Sequence, residues 1–181
     1  MQKPIVVLWM LLLLSGCGGE AEPAKEAPPA EVEIEEPQED NALPGSWTVP
    51  EGWVKAGQYS TQDKIFYVQE GHEEDEQPDN ISIEVGTNRY SAEDHMKFRD
   101  AIVRQLTMQA AAAGGELTGE GTFTEQEDIL YIFTIREEGV LTKQFYIVGD
   151  KRYCLIHLTS FTGSEGGEEA ARVMADSFVW E

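Results

Sequence analysis

Beyond Ser46 the chain is a series of short apolar runs divided by Gly-, Asp- and Glu-rich breaks. The period of each run predicts an element. Trp47 and Trp53 flank a Pro-Glu-Gly turn and are expected to plug one end of a core. Ile65–Val68 is β-branched and aromatic without interruption, which predicts a strand. Ile81–Val85 alternates apolar and polar and predicts a half-buried strand. Ser91-Ala-Glu-Asp94 resembles a capping box, and Gly114-Gly115 is a stop, so the spacing predicts a helix over 92–113. Met96, Arg99, Val103, Leu106 and Ala110 recur three and four apart, Ile102 widens the stripe, and Phe98 flanks it. Four further runs follow. Glu116–Thr124 is polar and glycine-rich, as an outer strand would be, whereas Ile129–Ile135 is the most apolar segment of the domain. Val140–Val148 and Tyr153–Phe161 are set off by short turns. Short turns imply antiparallel neighbours, because parallel ones need long crossovers. Ala171, Met174, Ala175 and Phe178 fall on one side of a second helix over 164–178, and Val179-Trp180 is expected to pack back onto the sheet. The order β-β-β-α-β-β-β-β-α predicts an α+β domain: an antiparallel meander of six to seven strands flanked by one long and one C-terminal helix.

The N-terminus has a different pattern. Lys3 precedes an unbroken apolar run, Ile5–Leu14, closed by Leu14-Ser15-Gly16-Cys17. A basic start, a short apolar stretch and small residues describe an export signal. The run is about half the ~20 residues needed to span a bilayer. With cysteine at the point of cleavage, this arrangement resembles the bacterial lipoprotein signal, the lipobox. That resemblance implies removal of 1–16, lipidation of the Cys17 thiol and attachment to a membrane through at least two acyl chains, enough for stable anchoring. It places the protein outside the cytoplasm, on a periplasmic face or at the cell surface. Residues 17–44 are then a lipidated cysteine and an acidic, Pro-rich tether. Nine acids lie between Glu20 and Asp40 against Lys25 alone, with no aromatic residue. Such a segment cannot bury enough surface to offset its ordering entropy. Residues 45–181 form the folded domain.

The order of elements also resembles the PsbP-like group, which includes the extrinsic photosystem II protein and DcrB-type bacterial lipoproteins. The residues that carry the likeness are Trp47-x-x-Pro-x-Gly-Trp53, the helix after the third strand, and Tyr153-x-Leu-x-x-Leu158-Thr before a terminal helix. The resemblance implies a non-catalytic domain that binds other proteins. It transfers no binding residue.

Charge narrows the partners. The chain has 34 acids and 13 bases, a net charge of -21. Nucleic-acid binding depends on neutralising phosphates with Lys and Arg and is disfavoured, as is docking on anionic headgroups. Basic partners and cations remain open. The two cysteines are Cys17 and Cys154, so lipid on Cys17 leaves no internal disulfide.

Candidate chemistry is sparse. His72, His95 and His157 lack metal-pair spacing, and no His-Glu-x-x-His occurs. Cys154 and His157 are three apart on a strand, which puts them on opposite faces, with a buried cysteine and an outward histidine expected. Gly114-Gly115 and Gly119-Glu-Gly121 lack the Lys-Ser or Lys-Thr of a phosphate loop and are expected as a helix stop and a strand turn. The acidic loop 70–80 is the densest group of oxygen ligands. Glu73, Asp75, Glu76, Asp79 and Asn80 are its calcium candidates, though their spacing is not that of an EF-hand. No cofactor is expected. The sequence thus predicts a lipid-anchored, non-catalytic interaction module whose partner is an envelope protein. A small-ligand or cation-binding lipoprotein is the alternative and an enzyme a distant third.

Overall fold

The computed structural model describes residues 43–163 and 165–181. The expected export signal, Cys17 and the expected tether as far as residue 42 lie outside the described residues.

Among the described residues, nine strands and two α-helices follow one another: β1 (Gly45–Ser46), β2 (Trp53–Lys55), β3 (Lys64–Gln69), β4 (Asn80–Thr87), α1 (His95–Ala113), β5 (Glu116–Phe123), β6 (Ile129–Glu137), β7 (Val140–Gly149), β8 (Arg152–Ser160), α2 (Glu165–Asp176) and β9 (Val179–Trp180). β2 to β8 form one seven-stranded antiparallel sheet in the order β2-β3-β4-β8-β7-β6-β5. It is assembled from two meanders, β2-β3-β4 and β5-β6-β7-β8. α1 carries the chain from β4, in the middle, to β5, at the far edge. The meander then returns, and β8 pairs with β4 from Asn80↔Thr159 to Thr87↔Arg152. The α+β architecture is the one the apolar periods predict.

Alternation along each strand divides the apolar residues between two faces. On one face, Ile81, Ile83, Phe145, Ile147, Cys154, Ile156 and Leu158 pack with Ala171, Met174, Ala175 and Phe178 of the α2 segment. Met174 and Phe178 are fully buried, and burying a side chain of that size contributes roughly 1.5–3 kcal/mol. Trp53 joins this core, and Trp47 stacks on Phe178 at 6.4 Å and donates from Nε1 to the Tyr67 hydroxyl at 3.1 Å. On the other face, Phe98, Leu106 and Ala110 of α1 pack with Tyr131, Phe133, Ile135, Tyr146, Val148 and Leu155. Phe98 is the hub, with its ring 5.8 Å from that of Tyr146 and 5.6 Å from that of Tyr153.

Several expectations are corrected. Phe98, not Met96, leads the buried stripe of α1; Met96 is 56 % exposed. The first turn of the predicted helix is a 3₁₀ turn, Ala92–Asp94, and the Ser91 side chain makes no capping bond. The Ala92 amide donates instead to Asp150 Oδ1 at 3.4 Å. The predicted stop holds: Gly114 takes a left-handed φ of 72° and closes the helix onto the Ala110 and Ala111 carbonyls. Leu43, assigned by its polar surroundings to the tether, is 4 % exposed in the α2-side core. The expectation for the C-terminus holds: Val179-Trp180 pairs with Gly45-Ser46 as a separate two-stranded sheet, and the Trp180 ring packs back onto the α2-side core.

Candidate functional site

β5 is the outer strand of the sheet, and only Leu117 among its eight residues is even half-buried. Alternation puts Leu117, Gly119, Gly121 and Phe123 on the α1 face. The two glycines leave that face without side chains. The rings of their cross-strand partners fill part of the space: Gly119 pairs with Phe133 and Gly121 with Tyr131. A Cβ on Gly119 would stand 2.7 Å from the Phe133 ring, and one on Gly121 3.1 Å from Tyr131. Along α1, Arg99, Val103, Thr107 and Ala111 face this strip across a groove of about 650 Å³. Its floor is aromatic, Arg99 and smaller side chains of α1 form one wall, and β5 backbone forms the other side.

Polar groups gather at the Tyr131 end. The Tyr131 hydroxyl shares a 2.6 Å hydrogen bond with His95 Nδ1. Burial raises the Tyr131 pKa above the ordinary tyrosine range, so the hydroxyl stays protonated at neutral pH. The Arg99 guanidinium lies 6.0 Å from the Tyr131 ring centroid and donates to Asp100 Oδ1 through Nη2 at 2.7 Å and Nε at 2.9 Å. An apolar concavity with a few converging polar groups is the usual form of a binding site.

A second polar feature lies on the same sheet face. Ser82, His157 and Gln144 are in register across β4, β8 and β7. Ser82 and Gln144 are buried. Tyr146 donates to Gln144 Oε1 at 2.9 Å, whereas His157 Nε2 is buried with no hydrogen-bond partner. Burial, then the nearby Lys64 ammonium, pushes the His157 pKa down to about 4. Lys64 is itself paired with Glu84 at 3.0 Å. His157 lies on the face opposite Cys154, as expected, but it is half-buried there with its Nε2 enclosed. Cys154 is 0 % exposed, and burial raises its thiol well above the ordinary cysteine range. The two side chains do not form a nucleophile–base pair.

The structure scatters the calcium candidates. Asp75 Oδ2 is 2.7 Å from His72 Nδ1. Glu73 meets the Gln58 amide through its backbone carbonyl at 3.1 Å, and Glu76 is exposed. Asn80 opens β4, its amide donating to the Pro78 carbonyl at 3.1 Å. Asp79 turns inward and is 6 % exposed. Its carboxylate accepts from Ser160 Oγ (2.8 Å), Thr162 Oγ1 (2.6 Å), Phe161 N (2.7 Å) and Thr162 N (3.1 Å). Burial alone would raise its pKa; these four bonds outweigh burial and lower it. Asp79 is thus a clamp between β4 and the end of β8. Among the described residues, no group of three or more His, Cys, Asp or Glu is placed to hold a metal ion. No described helix is long and apolar enough to cross a membrane.

No local pattern along the chain marks the groove. Gly119 and Gly121 were visible as glycines, but their meaning depends on which residues of β6 oppose them. Arg99 stood out only as the polar member of an apolar stripe, the sign of a helix flank that is partly open.

No protein-family profile and no curated protein matches this chain by sequence. Solved structures do. Cyanobacterial PsbP (CyanoP) from Synechocystis sp. PCC 6803 is similar with a TM-score of 0.52 at 12% identity, over 76% of this chain and 87% of that chain. A protein from Bacteroides thetaiotaomicron aligns with a TM-score of 0.42 at 13% identity, over 78% of this chain and 47% of its own. At such identities the likeness concerns architecture, and the first of the two carries it: the described domain has the PsbP-like α+β fold.

Proposed function

We propose that this chain is a lipoprotein held at a membrane through lipid on Cys17, whose acidic domain binds an envelope protein and catalyses no reaction. The observation that carries the reading is the groove between α1 and β5, which leaves an aromatic floor and a strand edge open side by side. Monomeric domains rarely leave a strand edge beside apolar surface without protection or use. The lipobox resemblance supports the anchor, and the acidic Pro-rich tether supplies reach of up to roughly 80 Å if extended.

Metabolic fatty-acid labelling with membrane fractionation tests the anchor. Label and sedimentation should both be lost in Cys17→Ala; a mutant that stays with the membrane unlabelled refutes it. Crosslinking in intact membranes followed by mass spectrometry tests the partner. One or a few recurrent neighbours are expected, and repeated recovery of none counts against a stable protein partner.

The volume of the groove favours one second reading. About 650 Å³ lies within the range of small-molecule sites, and Arg99 and the His95–Tyr131 pair would orient a ligand there. Co-purification of a small molecule with the wild type, and its loss in Gly121→Val, would favour this reading over a protein partner.

A further inference from the structure

We propose that β5 is the docking edge of this domain, and that the occupant is an extended partner segment alternating basic and small apolar residues. The segment adds to the sheet as an eighth strand. This rests on the interaction-module reading above and specifies how that module is used.

β5 runs for eight residues at the end of the large sheet, with no strand beyond it among the described residues; at its last residue the Phe123 carbonyl accepts from Arg172 Nη2 at 3.4 Å, which leaves residues 116–122 as the edge to be paired. An edge of that length can form main-chain hydrogen bonds with an added strand, and alternate side chains then supply specificity. The two faces of β5 ask for different side chains. On the α1 face, Gly119 and Gly121 leave a strip without side chains beside the groove, and Phe123, 62 % exposed, extends its apolar surface. Small apolar side chains of an added strand would enter between this strip and Val103, Thr107 and Ala111. On the other face, Glu116 and Glu120 alternate with Thr118 and Thr122, all exposed. Directly opposed residues of adjacent strands share a face, and opposite charges there stabilise pairing. Basic residues at alternate positions are therefore the complement of this face.

Charge also selects among occupants. A second copy pairing through its own β5 would set Glu116 and Glu120 of one strand on the same face as those of the other. The tether of this chain alternates Val32 and Ile34 with glutamates and would bring more acids to that face. Both pairings place like charges together.

The test titrates the full chain in detergent micelles into three labelled peptides the length of β5. One alternates lysine and valine, one alternates glutamate and valine, and one holds the first composition in two blocks. The lysine–valine alternator should bind, with amide shifts confined to β5 and the facing flank of α1. The block and glutamate peptides should bind about tenfold more weakly or not at all. Glu116→Lys with Glu120→Lys, both at exposed positions, should weaken the lysine peptide about tenfold and strengthen the glutamate peptide. Gly121→Val should weaken binding by occupying the groove. Equal binding of the block peptide, shifts away from β5, indifference to the double variant, or a dimer in sedimentation that opens in Glu116→Lys with Glu120→Lys would each overturn the proposal. A flat titration overturns strand addition while leaving the interaction reading to the membrane crosslinking, which uses no peptide.

Discussion

Gly119 of β5 lies directly across from Phe133 of β6, and the Phe133 ring occupies the place of the side chain that Gly119 lacks. The pairing accounts for an otherwise costly glycine in the middle of a strand. A Cβ there would stand 2.7 Å from the ring and 3.5 Å from the Ile132 carbonyl. Gly119→Val should therefore displace Phe133, loosen the α1-side core and destabilise the fold by about 1–3 kcal/mol. Gly121→Ala, with 3.1 Å to Tyr131, should cost less. Chemical denaturation of the two variants beside wild type checks the order; equal midpoints for wild type and Gly119→Val would contradict it.

Asp79 should behave as a structural carboxylate. Its pKa is lowered in the fold, so its contribution to stability is complete above the unfolded value of 3.8 and is lost as pH falls through the lower folded value. Asp79→Ala leaves the Ser160 and Thr162 hydroxyls and the Phe161 and Thr162 amides without their acceptor. A loss of about 2–4 kcal/mol is expected at neutral pH. Calcium should not change the melting temperature of either protein through this residue. A calcium-dependent rise in the wild type that vanishes in Asp79→Ala would contradict the clamp.

His157 acts in the pH window just above that of Asp79. Its folded pKa of about 4 lies below the ordinary histidine value of 6.5. The unfolded chain therefore takes up a proton first as pH falls. The contribution of His157 is complete above about pH 6.5 and declines as pH drops towards 4, where the folded form titrates. Denaturation midpoints from pH 7 to 4 should show this slope, and His157→Gln should flatten it. An imidazole that titrates near 6.5 by NMR would contradict the burial.

Cys154 should be silent to thiol reagents. It is fully buried between Val85 and Ile147 in strand register, and burial holds its thiol protonated. Modification should track global unfolding with denaturant. Reaction under native conditions at the rate of a free thiol would show that β8 opens locally.

The strands and helices were legible because each is marked by local chemistry: β-branched runs for the sheet, the Gly114 stop for α1, and the Ala171–Met174–Ala175–Phe178 spacing for α2. Even the outer position of β5 could be read from its polar, glycine-rich composition. What was not legible depends on partners distant in the chain. Asp79 looked like one more acid of a solvated loop, because its four donors lie 81–83 residues away. β1 and β9 are two residues each, too short for any period, and pair across the domain. The stripe read along α1 ran Met96, Arg99, Val103, Leu106 and Ala110; Leu106 and Ala110 are buried as expected, whereas the rings around Phe98 turn the first half of the helix the other way. That rotation leaves Arg99 and Val103 as a groove wall. The groove itself needs β6 opposite β5, which no local pattern specifies.

Site-specific photo-crosslinking in the intact envelope tests the central claim most directly. A photoreactive residue at exposed Thr118 on β5 would be compared with one at exposed Glu169 on α2. The account predicts a discrete adduct with an envelope protein from position 118, diminished by the companion change Gly121→Val, and none from position 169. The same adducts from both positions, or adducts from 169 alone, would contradict a partner docked at the α1–β5 edge.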